Sequence, residues 1–99
     1  MKEFLIRCDD ENFCVIHVNK LGEVLHPISV ESEQVKSWGD YRIKIGDREI
    51  SFSFEMVGIQ TSFEIGQISN EKAETIVSEI CRNVEQEIKK PCSWIQISD

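Results

Sequence analysis

One short motif occurs twice in the sequence and places two carboxylates at matched positions. Ser53-Phe54-Glu55 is followed nine residues later by Ser62-Phe63-Glu64. Paired carboxylates are the usual groups for general acid–base catalysis, provided that one of them is desolvated and its pKa is raised. Apolar and polar residues alternate through both motifs, which predicts two strands of one hairpin with both glutamates on the polar face. Because their neighbours there are serines and a glutamine, we expect ordinary exposed carboxylates and no catalysis.

Cysteines and histidines are the other side chains that could react or bind a metal. Cys8, Cys14, His17 and His26 lie close together in the sequence and could supply zinc ligands or a Cys–His pair. The spacing disfavours both, because the chain has no C-x-x-C pair and residues three apart on a strand point to opposite faces. Glycine-rich phosphate-binding motifs are also absent from the sequence. We therefore expect no enzymatic activity, no cofactor and no metal, and a small zinc- or thiol-dependent enzyme is the less favoured alternative.

The N-terminal residues determine what we expect of the four cysteines. They lack the long apolar stretch and the small-residue cleavage site of a secretory signal. This predicts a cytoplasmic protein, in which cysteines are usually reduced, so a disulfide among Cys8, Cys14, Cys81 and Cys92 is the less favoured alternative. Cys81 falls on the apolar stripe of a predicted helix, where a thiol packs as a small hydrophobic side chain.

The charge balance restricts the partners. The 99 residues include 18 acidic and 11 basic side chains, which give a formal net charge of -7. Such a chain repels the phosphates of nucleic acids and the surface of anionic membranes, whereas it attracts basic proteins. No apolar run is long enough to cross a bilayer. The length predicts a single domain over residues 1–99.

Strand patterns occupy most of the first two thirds of the chain. Residues 3–8, 13–18 and 23–28 are predicted as the first three strands, and 41–45 as the fourth. Residues 29–40 fit either a short helix or a connecting loop. A four-residue turn at 46–49 would set Ile43 opposite Phe52. A turn at Val57-Gly58, or a looser loop over 56–59, would set Phe52 opposite Phe63.

The clearest helix runs from Ser69 to Lys89. Apolar residues recur at three- and four-residue spacing, Ser69 or Asn70 can cap the first turn, and Pro91 ends the pattern. An alternating segment at 92–98 predicts a final strand. The order favours an α+β fold, with an antiparallel β-sheet of five to seven strands, one long amphipathic helix (about 69–90) packed on one face, and a C-terminal strand.

A sheet covered by one helix leaves its other face open. Six residues of the predicted hairpin would line that face, with Arg42 and Lys44 beside them: Ser51, Ser53, Glu55, Gln60, Ser62 and Glu64. A second acidic feature is the predicted hairpin tip Asp9-Asp10-Glu11. Because both features suit a basic protein partner, the candidate partner-binding residues are Asp9, Asp10, Glu11, Glu55 and Glu64.

Two segments together resemble a class of bacterial binding proteins. They are "WGDYRIKIGDREISFSFEMVGIQTSFE", a predicted sheet, and "EKAETIVSEICRNVEQEIKK", an amphipathic helix, in a compact acidic chain. In general character they resemble small toxin-immunity proteins, including those of contact-dependent growth-inhibition systems. The resemblance implies tight stoichiometric binding that blocks the active site of a toxin, often a basic nuclease. The carboxylates would then take the place of the phosphates that the toxin binds.

Another class of binding protein stays open. An acidic secretion chaperone or adaptor would have a similar charge, but such proteins usually dimerise and often begin with a helix. The sequence is compatible with a monomer or a homodimer. A phage-encoded inhibitor of a nucleic-acid enzyme would share the chemistry of the immunity proteins.

Overall fold

A six-stranded antiparallel sheet with one long helix on one face forms the body of the protein, so the predicted α+β fold is confirmed. The computed structural model describes residues 2–8, 14–36 and 40–98. The strands are β1 (Lys2–Cys8), β2 (Glu33–Val35), β3 (Tyr41–Ile45), β4 (Arg48–Glu55), β5 (Gly58–Ile65) and β6 (Cys92–Ser98). The helices are a 3₁₀ turn (Val18–Lys20), the short α1 (Leu21–Val24) and the long α2 (Asn70–Ile88). The strand order is β2-β3-β4-β5-β1-β6.

Helix α2 forms where the apolar period predicts it. The Ser69 side chain caps its first turn by accepting a hydrogen bond from the Lys72 backbone N–H, as expected. Lys89 ends the helix in the left-handed conformation, with φ of 59°. The buried stripe that packs on the sheet consists of Ala73, Ile76, Val77, Ile80, Cys81 and Val84. Within the described residues, no helix is long and apolar enough to cross a membrane.

Aromatic packing around β1 fixes the centre of the core. The fully buried Phe4 ring contacts Phe63 on β5 and Trp94 on β6 edge to face, with centroids 5.6 and 5.5 Å apart. Each such contact contributes about 0.5–1.5 kcal/mol beyond the area it buries. Ile6, also fully buried, faces the helix from the same side of β1. The β1 side chains therefore join both neighbouring strands to the helix layer.

Both predicted hairpin registers are wrong by two residues. Ile43 faces Ile50 instead of Phe52, and Phe52 faces Thr61 instead of Phe63. The connections are two-residue turns, at Gly46-Asp47 and at Met56-Val57. A shift of two residues keeps every side chain on its predicted face, so the alternation of the sequence fits both registers equally. The backbone of the turns decides between them, and Gly46 adopts the positive φ (62°) that tight hairpin turns favour.

The predicted strands 13–18 and 23–28 are also wrong. Residues 14–17 have no regular structure, and the 3₁₀ turn and α1 follow. Leu21, Val24 and Leu25 are three and four residues apart, the helical period, and Val24 and Leu25 are buried. This helical spacing outweighs the weak alternation. Within 29–40, which we predicted as a helix or a loop, the structure forms the short strand β2.

The backbone of residues 24–29 is bound by side chains of α2. These hydrogen bonds replace the pairing that a neighbouring strand would provide. The Asn83 amide donates to the Val24 and His26 carbonyl oxygens at 3.2 and 3.0 Å. The Glu79 carboxylate accepts the backbone N–H groups of Ser29 and Ile28 at 3.0 and 2.8 Å, and these bonds lower the pKa of Glu79. The backbone groups of an irregular segment are thereby satisfied without sheet pairing.

Gly58 provides the first testable prediction. A Cβ at this position would lie 2.2 Å from the Ile6 carbonyl oxygen, and φ is 141°. We expect Gly58→Ala to lower the free energy of unfolding in urea by about 3 kcal/mol or more, because the β1–β5 pairing must move.

Gly46→Ala is the matched control. Gly46 also has a positive φ, but a Cβ at this position would have no neighbour within 4 Å. Its expected cost is about 1 kcal/mol. Equal costs for the two variants would show that the approach of Ile6 does not constrain the sheet.

Candidate functional site

The face of the sheet that points away from α2 is called the outer face. Residues directly opposite one another in neighbouring strands share a face, and one row crosses all six strands: Val35, Arg42, Ser51, Ser62, Glu3 and Ser98. The charged members of the outer face are the carboxylates Glu3, Glu33, Glu49, Glu55 and Glu64 and the cations Arg7, Arg42 and Lys44. Carboxylates therefore outnumber cations on this surface.

Arg42 is the centre of a charged cluster on the outer face. Its Nη1 lies 2.8 Å from Glu64 Oε1 and 3.4 Å from Glu49 Oε1. The Ser51 hydroxyl donates to the other oxygen of Glu64 at 2.5 Å. The hydrogen bond from Ser51 and the guanidinium of Arg42 lower the pKa of Glu64, while the hydrogen bond to Glu64 raises the pKa of Arg42. Glu64 is therefore ionised, and the positive charge of Arg42 balances part of its negative charge.

Glu3 is the second ordered carboxylate on this face. It accepts hydrogen bonds from the Gln60 amide at 2.8 Å and from the Ser62 and Ser98 hydroxyls at 3.1 and 3.2 Å. All of these partners are neutral, so the negative charge of Glu3 is oriented by them but not cancelled. The sequence prediction omitted Glu3, because its partners come from β5 and β6 and only the strand order brings them together.

Glu55 and Glu64 both lie on the outer face, as predicted, but at opposite ends of the hairpin. Glu55 faces Gly58 beside the turn and accepts a hydrogen bond from the Ser53 hydroxyl. Glu64 lies next to the Glu49–Ile65 pair at the far end, about 20 Å away at the usual rise per residue. The two carboxylates therefore do not converge on one reacting group. Asp9, Asp10 and Glu11 lie outside the described residues, and their role stays a prediction.

One side of the outer face is apolar. Leu5 on β1 faces Ile95 on the edge strand β6, and 46% of Ile95 is exposed. The outer face thus combines ordered carboxylates with an apolar margin, and protein interfaces commonly contain both kinds of surface.

His26 is a polar site that the sequence did not predict. Its Nδ1 lies 2.6 Å from the Ser32 hydroxyl oxygen, and its Nε2 lies 2.8 Å from the Tyr41 phenol oxygen. Burial lowers the pKa of His26 and raises that of Tyr41, so both rings are neutral near pH 7. Ser32 also lines an open cavity of about 490 Å³ with Glu31, Glu33, Lys44 and Gly46.

A hydroxyl beside an imidazole is the arrangement of an activated nucleophile. In such sites a carboxylate usually orients the imidazole and stabilises its charged form. In the described part of the chain, the second hydrogen-bond partner of His26 is instead a neutral phenol. The arrangement joins the segment after α1 to β3. The signal in the sequence is weak because Tyr41 follows His26 by fifteen residues.

The expectation that all cysteines are reduced is wrong for two of them. Cys8 and Cys14 form a disulfide, with Cα atoms 5.5 Å apart. The two histidines of the alternative zinc or thiol site have other partners. His17 is exposed and accepts a hydrogen bond from the Asn19 backbone, and His26 contacts Ser32 and Tyr41. Over the described ranges, no group of three or more potential ligands could hold a metal ion.

The architecture defines a small α+β protein with one helix-covered and one open sheet face. No protein-family model matches the chain, no curated protein matches it, and no solved structure matches it. Any function must therefore be argued from the chain's own surfaces.

The lowered pKa of His26 gives a pH prediction. The unfolded chain binds a proton near pH 6.5 and the folded chain only at lower pH, so the free energy of unfolding falls as pH drops below about 6.5. We expect His26→Gln to flatten this fall between about pH 7.5 and pH 5 in urea titrations. His17→Gln, at an exposed position, should keep the wild-type slope. If the free energy of unfolding depends on pH equally in the wild type and both variants, His26 is not the group responsible.

The Arg42 cluster gives a second stability prediction. Glu64→Gln keeps the shape of the side chain but removes its charge, so we expect a loss of about 0.5–1 kcal/mol at pH 7. The lowered pKa of Glu64 stabilises the fold above about pH 4.5, and this contribution disappears as pH falls through the folded-state value. Glu64→Gln should therefore also reduce the acid sensitivity below pH 4.5. Glu55→Gln is the control and should change stability by less than about 0.5 kcal/mol.

Proposed function

We propose that this chain is a non-enzymatic protein-binding domain whose outer face binds a basic protein. The observation that supports the proposal best is the open sheet face, where five carboxylates accompany three cations. In the part of the chain that the structure describes, the long helix packs on the opposite face only. The net charge of -7 attracts a basic partner and speeds its association.

The detail of the outer face supports this choice of partner. Ser51 and Ser62, both small, occupy the middle of the row between Arg42 and Glu3. Both serines are buried, at 5% and 8% exposure, so the lysine or arginine side chains of a partner would meet the side chains of Glu3 and Glu64 that surround them. The three neutral donors around Glu3 fix its orientation before binding, which reduces the entropy lost when a cation binds there.

The specific class that we propose is an immunity protein that blocks a bacterial toxin. A nuclease toxin binds phosphates through basic side chains, and carboxylates at matching positions would occupy the same groups. Glu55 and Glu64 contribute to this surface from the outer face. Asp9, Asp10 and Glu11 are proposed as a second acidic contact.

A secretion chaperone or adaptor that forms homodimers is the second candidate. The observation that favours it is the edge strand β6, on which Ile95 and Ile97 are each 46% exposed. An open edge strand can pair with another copy of the chain. A stable dimer of the isolated protein by light scattering would favour this candidate, and a monomer would favour the inhibitor.

The test of the proposed function is co-expression with a toxin. If an adjacent gene encodes a large exported protein, the probe is the C-terminal region of that protein, and the readout is bacterial growth together with the affinity of the purified pair. We expect the wild-type chain to restore growth. Glu55→Lys, combined with Glu3→Gln, should weaken binding by about tenfold or more at low salt and abolish rescue.

Charge-matched variants on α2 provide the control. The combined substitutions Glu74→Lys and Glu87→Gln make the same total change in net charge as the outer-face variant, at exposed residues of the helix, and leave the outer face intact. They should retain rescue. If the outer-face variants and the α2 variants lose binding and rescue equally, only the net charge of the protein matters. If Leu5→Ala and Ile95→Ala abolish binding while the carboxylate variants do not, the mimicry of phosphates is wrong.

A further inference from the structure

Three cysteine sulfurs meet at one end of β1. Cys8 is bonded to Cys14, and on its other side it lies directly opposite Cys92 of β6. The Sγ atoms of Cys8 and Cys92 are 3.7 Å apart, close to van der Waals contact. A thiol therefore lies beside an existing disulfide, which is the arrangement from which thiol–disulfide exchange begins.

We propose that Cys8, Cys14 and Cys92 form a thiol–disulfide exchange site that moves the disulfide from Cys8–Cys14 to Cys8–Cys92. Cys92 loses its proton to water, and its thiolate attacks the Sγ of Cys8. The new Cys8–Cys92 bond forms as the Cys8–Cys14 bond breaks. Cys14 leaves as a thiolate and takes a proton from water. The number of thiols and disulfides is unchanged, so the step needs no external oxidant or reductant.

The β1–β6 ladder provides the geometry for the product. Opposed residues of an antiparallel pair have Cα atoms about 4.5–5.5 Å apart, within the range that a disulfide spans. Cys8 and Cys92 are opposed in this way. The second disulfide can therefore form with the strands in place, and only the segment that begins at Cys14 loses its covalent link to β1.

Access from the surface selects Cys92 as the attacking sulfur. It lines an open groove of about 370 Å³ between α2 and β6, with Ser78, Arg82, Glu85 and Trp94 among its neighbours. Cys14, in contrast, is fully buried. Cys81 lines the same groove, but burial raises the pKa of its thiol to about 11. Cys81 is thus protonated at neutral pH and a poor nucleophile.

The exchange changes which elements are covalently linked. The first disulfide joins residues six positions apart, and the second joins the strands β1 and β6 across 84 positions. The first therefore anchors the segment that leads to α1, whereas the second locks the edge strand to the sheet. The site can alternate between two covalent forms of one fold.

The test begins with wild-type protein oxidised by glutathione disulfide until two thiols remain. After removal of glutathione, the protein is incubated at several pH values from 7 to 9 without added thiol, quenched with acid, alkylated and digested. We expect a peptide linked through Cys8 and Cys92 to appear as Cys14 becomes alkylated, with the thiol count still two. The exchange rate should rise with pH, because the thiolate is the attacking species.

Three variants separate the proposal from general thiol chemistry. Cys92→Ser should abolish the exchange, and Cys81→Ser should leave it at the wild-type rate. Cys14→Ser should form the Cys8–Cys92 disulfide in a glutathione buffer. Circular dichroism checks that each variant folds, and the wild-type measurement stands without them. Recovery of Cys8–Cys14 alone at every pH, involvement of Cys81, or capture of two glutathiones by Cys14→Ser would overturn the proposal.

Discussion

The position of β1 between β5 and β6 is the constraint on which the rest of the structure depends. The strand order places β1 between the end of the hairpin series and the C-terminal strand, so β6 belongs to the sheet only through β1. The side chain of Phe4 packs against both neighbours and under the helix layer. The backbone of β1 needs equal room, since the Ile6 carbonyl approaches Gly58 more closely than any Cβ would permit. This strand contributes Glu3 to the outer face, Phe4 to the aromatic core and Cys8 to the group of three cysteines.

The sequence predicted the elements with strong periodicity and failed where two patterns competed. The stripe of α2 and the alternation from Tyr41 to Phe63 place the elements and faces of that region correctly, except for Met56, which lies in a turn and is exposed. The predicted strand registers were wrong because alternation has a period of two, so registers two residues apart fit it equally well. The backbone conformation of the turns determines which of them forms. The segment around Leu21 to Leu25 contains apolar residues compatible with either a strand or a helix. Burial against α2 favours the helix there.

Candidate sites were predictable only when their residues share one strand or one hairpin. Glu55 and Glu64 lie on the expected face for that reason. Glu3 with Ser98, His26 with Tyr41, and Cys8 with Cys92 all meet across long stretches of chain. No local spacing encodes such contacts, because they arise only from the strand order. The same order also pairs Glu64 with the Arg42 cation and surrounds Glu3 with neutral hydrogen-bond donors.

The pairing of the first strand with the last also determines how the chain folds. β3, β4 and β5 are neighbours both in sequence and in space, and their two-residue turns make their contacts local. The β1 ladders, in contrast, join residues as far apart as Cys8 and Cys92. Closing such large loops costs conformational entropy before any contact stabilises them, which slows folding. The topology therefore favours a folding order in which the three-stranded meander forms first and β1 and β6 join it afterwards.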